Sequence, residues 1–395
     1  MYASTIVPRI IPDAVASFAD GVFSPMPRVD QRRWAEVYLR GLLLVEGKKT
    51  VRKIADSILS IPAHQSLQQF INQSPWEWEP VRALLARHIQ AAERPMAWVL
   101  ARTAIPKRGD RSVGVERQFL PEAGRTLNCQ IGVGAFLANS SGSIPVNWRI
   151  LLPRRWGDNM KLRKSAYIPD GVGAQPEWRE SIDMVSEMDT EWGLARAPVI
   201  ADIRHLRHAD DFITTLMDRG FTFALEVDGS MKVLGGAHLS AVSSRRPALQ
   251  GATGKVVAVR DYVQYPGAQR SSVLAPVRAE ARRSRVVSSL VRIHAGGRHT
   301  PPRVVRLLSE IFPLGRPARF WITNLADHRV DSVMSLARLS LRSKEDMQKL
   351  EDRFGLRDFE GRSFRGWHHH MTMVSAAYAF DKIGWGHDSA LCSCN

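Results

Sequence analysis

The sequence predicts an α/β fold: a mixed sheet, preceded by a helical region and interrupted by a β-rich insertion. Three observations predict it. Apolar residues recur at helical spacing between 30 and 92, then give way to strand-like runs after 95. Between 178 and 227 helix and strand signals alternate, the order that builds a sheet with parallel members. From 229 to 335 that alternation stops, and short strand-like pieces rich in Arg replace it.

Taken in order, residues 1–28 hold Pro8, Pro12, Pro25 and Pro27 and show no sustained period, so they read as an arm. Asp30 is a candidate cap for a helix whose stripe is Trp34, Val37, Tyr38, Gly41, Leu42 and Val45. Three more short stripes follow, ending with Trp78, Val81, Leu84, Leu85 and Ile89. With Lys48, Lys49, Arg52 and Lys53 on the surface, residues 29–94 fit either a small DNA-binding bundle or a helical cap on the next unit. Met96–Leu100, Ser112–Leu120, Leu127–Ala138 and Val146–Leu152 read as an antiparallel meander. A helix through Trp178, Ile182, Val185, Met188 and Trp192 leads to a short buried strand, Pro198–Asp202, that ends in an acid. A helix over Asp211–Arg219 and a strand over Phe221–Val227 complete the first part of the core, 95–228. In the insertion, 229–335, strand-like pieces are Lys255–Val263, Arg285–Ile293 and Arg319–Thr323. A helical C-terminal part of the core and a tail occupy 336–395.

Composition narrows the function. The chain has 395 residues, 55 Lys or Arg against 39 Asp or Glu, and a net charge of +16. Mean hydropathy is −0.20 and the pI is about 10.3. These values exclude global disorder. Three Cys exclude a disulfide scaffold, and no apolar run is long enough for a membrane helix, so a cytoplasmic location is expected. Residues 229–320 hold sixteen Lys or Arg and three acids, so most of the excess charge is concentrated there. Arg in such excess fits phosphate contact, because the guanidinium fork pairs with phosphate oxygens. Cys129 reads as a small core residue, and Cys392 and Cys394 with His387 lack the four spaced ligands of a zinc site. No Gly-rich phosphate loop joins a strand to a helix, which disfavours a nucleotide-driven ATPase.

Asp202 at a strand end in a basic protein points to metal-assisted phosphoryl chemistry, in which carboxylates from different elements hold two Mg²⁺ ions. The surrounding words are more specific. Leu100-Ala101-Arg102-Thr103-Ala104-Ile105-Pro106-Lys107, then Ser112-Val113-Gly114-Val115-Glu116-Arg117-Gln118, Asn128-Cys129-Gln130-Ile131-Gly132-Val133 and Pro145-Val146-Asn147-Trp148-Arg149 form one series. Val199-Ile200-Ala201-Asp202 and a downstream set, Gly355-Leu356, Phe359, Arg362, Trp367 and His370, complete it. From about Asp30 to Tyr378 the chain resembles insertion-sequence transposases of the DDE superfamily. The resemblance implies an RNase H-like mixed-sheet core with a β-rich insertion, DNA as partner, DNA transposition as the activity, Mg²⁺ if the protein is active, and a possible homodimer.

The departures from that pattern are at the chemistry. In the resemblance the first catalytic Asp falls on Ala101, the third catalytic Glu on Lys344, and a Lys on Glu351; Asp202 alone remains, as the expected metal ligand. Glu345 is one residue from the third position, about 100° around a helix. Asp346, Glu351 and Asp352 are expected on solvated faces. Lys107, Arg108, Arg117, Arg362 and His370 are candidate DNA contacts; His368 and His369 are expected at the surface. Met184, Met188 and Trp192 belong to the core. Three functions follow: a DNA-binding protein impaired in strand cleavage, an active enzyme using Asp202, Glu345 and a further acid such as Asp110 or Glu116, or a scaffold that binds an acidic partner through the insertion.

Overall fold

Strand β1 (Ala97–Pro106) is the spine of the molecule. In this computed structural model, which describes residues 12–235, 255–262, 271–276, 283–293, 303–311 and 319–383, every other layer is placed relative to it. Its first four residues, Ala97 to Leu100, are all buried, as a strand covered on both faces requires. On one side β1 pairs antiparallel with β3 (Arg125–Ala138), which also pairs with β2 (Glu116–Leu120) and β4 (Ser143–Leu151). On the other side it pairs in parallel with β5 (Val199–Asp202), which pairs in parallel with β6 (Phe223–Val227). The order β4-β3-β1-β5-β6, with three antiparallel and two parallel members, is that of an RNase H-like core. The connections carry α6 (Arg154–Asp158), α7 (Met160–Ala166), α8 (Glu177–Thr190) and α9 (Ala209–Asp218).

The insertion extends this sheet rather than forming a separate body. It contributes β7 (Lys232–Gly235), β8 (Lys255–Ala258), the single-turn α10 (Val259–Tyr262), β9 (Ser271–Pro276), β10 (Arg283–Ile293), β11 (Arg303–Ile311) and β12 (Arg319–Thr323). β12 pairs antiparallel with β6, so among the described residues twelve strands form one sheet. The strand expected over Lys255–Val263 stops at Ala258, and β7, β9 and β11 are not among the expected pieces. Of the insertion's cations, Arg245, Arg246, Arg270, Arg278, Arg282, Arg298 and Arg316 lie outside the described residues, as do His387, Cys392 and Cys394.

Helices cover the sheet. α1 (Pro12–Val22), α2 (Val29–Leu44), α3 (Val51–Ile58), α4 (His64–Gln73) and α5 (Trp78–Ala92) precede it; α11 (Val330–Ala337), α12 (Leu339–Arg353) and α13 (Phe364–Ile383) follow. The expected arm thus contains a packed helix: α1 buries Val15, Phe18, Ala19 and Val22 against α2, α5 and α13. Helix α2 begins one residue before Asp30, with Arg28 as its cap, and Asp30 pairs with Arg28 instead. Gly41 lets α2 and α3 approach closely, since a Cβ there would lie 2.2 Å from Ile54 Cγ2. Lys49, expected at the surface, is buried with its Nζ bonded to the Val45 carbonyl.

Helix α13 is buried from Phe364 to Phe380 apart from Arg365, and it packs against α1, α2, α4, α5 and β4. A helix buried on all sides must satisfy every polar side chain it carries. Arg82 of α5, wholly buried, donates from Nε to Thr372 Oγ1 (2.8 Å), and from its terminal nitrogens to the carbonyls of Trp148 and His368 (3.0 Å each). Trp148 Nε1 donates to Ser375 Oγ at 2.8 Å. His369 stacks on Trp76, with ring centroids 3.7 Å apart, between the carbonyls of Ile71 and Trp76. His370 donates from Nε2 to the Gly355 carbonyl (3.0 Å) and accepts at Nδ1 from the Tyr38 hydroxyl (2.9 Å). Burial, and after it the nearby Lys107 charge, push the His370 imidazole down to about 4.

Two outcomes follow. Arg82→Ala leaves the carbonyls of Trp148 and His368 without this donor and is expected to cost about 3 kcal/mol in urea unfolding; a loss below about 1 kcal/mol would show that they find other donors. His370 has a folded value below its unfolded one, so the unfolded chain binds the extra proton and stability falls as pH drops from about 6.5 toward 4. Urea midpoints at pH values across that window should fall for the wild type and fall less steeply for His370→Gln. Equal slopes would remove His370 as a source of acid sensitivity.

Candidate functional site

Asp202 is the last residue of β5, and its carboxylate is held by two cations. Arg204 donates from Nε to Oδ1 at 2.8 Å and from a terminal nitrogen to Oδ2 at 2.7 Å. Lys344 Nζ, reaching from α12, donates to Oδ2 at 2.8 Å. The Asp202 side chain is 17% exposed, whereas Lys344 and Arg204 are about half exposed, so the cations form a lid over a sunken acid. Burial alone pushes the Asp202 carboxyl up; the hydrogen bonds and charges of Arg204 and Lys344 outweigh it and hold the carboxyl far below its ordinary range.

The strand register places the other positions. Leu100 of β1 pairs with Ala201 of β5, so Ala101 stands beside Asp202 on the adjacent strand. Two residues further along the same face, Thr103 Oγ1 donates to Glu351 Oε1 of α12 at 2.8 Å. Glu351 and Lys344 are two helical turns apart, so one face of α12 meets β1 through Glu351 and β5 through Lys344. Ala101, Asp202 and Lys344, far apart in sequence, therefore converge at one place.

A second carboxylate lies next to Asp202. Glu226 of β6 is its register partner and is 1% exposed. Arg319 of β12 pairs with it through Nε (2.9 Å) and a terminal nitrogen (2.5 Å), and Arg204 Nε lies 3.4 Å away. Sequence reasoning missed Glu226, Arg204 and Arg319. The available signal was an acid inside the apolar strand Phe223–Val227, since an acid in such a run must find a cation.

The remaining expected residues are placed as follows. Glu345 is exposed on α12, while Lys344, not Glu345, bonds Asp202. Asp346 does not face solvent: it is buried, accepts from Ser143 N (2.8 Å), Ser143 Oγ (3.0 Å) and Tyr378 (2.7 Å), and clamps α12 to β4 and α13. Glu351 is likewise enclosed, paired with Arg357 at 2.6 Å, because it meets β1 rather than water; Asp352 is exposed. Arg108, Arg117 and Arg362 are exposed. Lys107 turns inward to the Phe359 carbonyl at 2.5 Å, and burial brings its amine down to about 8. His370 is fully buried with both ring nitrogens engaged, so it is not a phosphate contact. His368 and His369 are buried as well, because α13 lies inside the molecule rather than on its surface.

Among the described residues no group of three His, Cys, Asp or Glu is placed to hold a metal ion. At Asp202 the neighbours within bonding distance are cations, so the residues present do not fit a divalent metal pair. No helix among the described residues is long and apolar enough to cross a membrane.

Two comparisons bear on this geometry. The family model described as DDE superfamily endonuclease matches residues 21–292, a stretch that includes Ala101 and Asp202 and stops short of Lys344. The chain is also similar to a probable transposase for insertion sequence element IS701 from Microchaete diplosiphon, 28% identical over 109 residues. That match covers 27% of this chain and 28% of the relative's length.

Removing Lys344 tests the cation lid. In Lys344→Ala the Asp202 carboxyl should titrate at a higher pH than in the wild type, and in Arg204→Ala higher still, because the Arg204 side chain supplies two of the three side-chain bonds. Carboxyl carbon shifts followed by NMR read this directly. Lys344 is half exposed, so its loss should change stability at neutral pH by less than about 1 kcal/mol. An unmoved Asp202 titration in both variants would show that the lid does not form in solution.

Proposed function

This chain belongs to the DDE superfamily endonucleases, and on that premise we propose that it is a transposase-like DNA-binding protein impaired in strand cleavage. The observation that carries the reading is the double cation cap on Asp202. Metal-dependent cleavage needs carboxylates from several elements turned on a shared pair of divalent ions, which activate the attacking oxygen and stabilise the leaving one. Here the position beside Asp202 on β1 offers a methyl group, and α12 offers an ammonium. A divalent ion at Asp202 would have to displace Arg204 and Lys344 and then lie beside their charges. At separations near 4 Å that repulsion is worth several kcal/mol even at an effective dielectric constant of about 20.

DNA binding is supported by the net charge of +16 and by exposed Arg108, Arg117 and Arg362. Part of the insertion's charge is committed within the protein: Arg303 pairs with Asp218, Arg319 with Glu226, and Arg306 donates to the carbonyls of Ala326 and His328. In this reading residues 29–94 read the DNA site, 95–228 and 336–395 form the retained nuclease scaffold, and 229–335 lies along the phosphates.

The test is incubation of supercoiled plasmid carrying the gene's native flanks with Mg²⁺ or Mn²⁺, beside Asp202→Ala. The expected result is no nicking, with retention of the same DNA on a gel that weakens steeply between about 50 and 200 mM salt. Cleavage that needs both metal and Asp202 would overturn the reading in favour of an active enzyme with a relocated acid such as Glu345. Failure to retain any nucleic acid would favour a scaffold for an acidic partner.

A further inference from the structure

A second cationic surface lies outside both the Asp202 centre and the insertion. The segment from Arg154 to Tyr167 forms α6 and α7, and it exposes Arg154, Arg155, Lys161 and Lys164 against one exposed acid, Asp158. Among the described residues none of these four cations has an ion-pair partner. Trp156 is buried and donates from Nε1 to the Val115 carbonyl at 3.0 Å, which seats α6 beside the start of β2. On the β2–β3 hairpin Arg117 and Arg125 are exposed too.

Large apolar side chains stand among these charges. Met160 is 72% exposed, Tyr167 74% and Phe119 62%. Each lies within three residues of an exposed cation in its own segment: Phe119 by Arg117, Met160 by Lys161 and Tyr167 by Lys164. Tyr167 adds a conformational oddity. It ends α7 at φ 53° and ψ 44°, and it is the only non-glycine residue with positive φ among those described. Glycine suits that position without strain, whereas a tyrosine there is strained. The strain is held in place by Arg163, whose buried guanidinium bonds the carbonyls of Pro169 (2.6 Å) and Val172 (2.7 Å) and so ties the following loop back to α7. A solvent-exposed aromatic ring set on a strained backbone position, with exposed cations on the same helix, is an arrangement suited to a ligand with anionic and aromatic parts.

We propose that α6, α7 and the β2–β3 hairpin form a DNA-docking face. Arg154, Lys161 and Lys164 bind phosphates there, and the Tyr167 ring packs on sugar and base. This rests on the DNA-binding reading above. The charges fix register and carry no sequence information, while the ring contributes affinity that salt does not screen.

The experiment measures fluorescence anisotropy of a labelled DNA duplex of arbitrary sequence against the full chain over a salt series. Tyr167→Gly should melt at the wild-type temperature or above, because glycine relieves the backbone strain and little buried area is lost. Its affinity should fall about fivefold or more with an unchanged salt slope. The triple variant Arg154→Ala, Lys161→Ala, Lys164→Ala should keep its melting temperature and lose about two to three units from the slope of log affinity against log salt. Wild-type affinity and slope in both variants would overturn the proposal while leaving DNA binding by another face intact. A wild-type chain that binds no DNA would defeat the underlying reading as well. Wild-type association with phosphatidylserine vesicles, lost in the triple variant while its DNA binding stays unchanged, would assign the face to a membrane surface and also overturn it.

Discussion

The partly buried carboxylate of Asp202 has to be neutralised, and the way this is done organises the middle of the molecule. A carboxylate sunk at the end of a sheet strand is costly unless opposite charge and hydrogen bonds meet it. Here the partners are side chains of the same chain. Lys344 brings α12 onto β5, and Glu351 brings the same helix onto β1 through Thr103. Arg204 leans toward Glu226, and Arg319 closes that acid from β12, where the insertion joins the core. A single row of alternating charges thus runs from α12 across β5 and β6 to the insertion. The two acids in it are tolerable because cations meet them, so the row specifies the packing of α12 and β12 more than it adds net stability.

The same rule governs the helical side. α13 is enclosed on every face, yet it carries three consecutive histidines, a threonine and a serine. Their partners come from several elements: Arg82 of α5 meets Thr372 and His368 Nδ1, Tyr38 of α2 meets His370, the Ile71 and Trp76 carbonyls around the end of α4 meet His369, and Trp148 of β4 meets Ser375. Asp346 repeats the arrangement between α12, β4 and α13. The helices before the sheet are therefore stitched to α13. They share one hydrophobic core with the sheet rather than standing apart from it. Any DNA contact made by α2–α5 is mechanically continuous with the scaffold that holds Asp202.

Local pattern disclosed much of this and failed where partners are distant in sequence. The apolar runs gave β3, β4, β5 and β6 with small boundary shifts and the buried first part of β1, which continues past Leu100 to Pro106, because buried strands show themselves as contiguous apolar residues. The residues standing at Ala101, Asp202 and Lys344 were legible from the order of short words around them, and the register brings these three together. Burial of charged side chains was not legible. Asp346, Lys49, His368 and His369 read as surface groups and His370 as a phosphate contact, since a polar residue's burial depends on which distant group satisfies it. β11 hid behind its charges: Arg303 and Arg306 interrupt an apolar strand because each reaches past the sheet to an acceptor on another segment.

On the proposed reading, charge at the centre also explains how DNA binding outlasts cleavage. Three carboxylates holding two divalent ions present one net positive charge to an approaching phosphate. One carboxylate beneath one lysine and one arginine presents the same net charge, supplied by Asp202, Lys344 and Arg204. The phosphate meets a similar potential in either case, because at longer range the field depends on the sum and not on which ions make it. What differs is chemistry at short range. An ammonium or guanidinium donates hydrogen bonds to phosphate oxygens, but it does not bind a water molecule as a Lewis acid and lower its pKa. The exchange of metal for side-chain cations therefore separates attraction from cleavage, keeping the first while removing the source of the second.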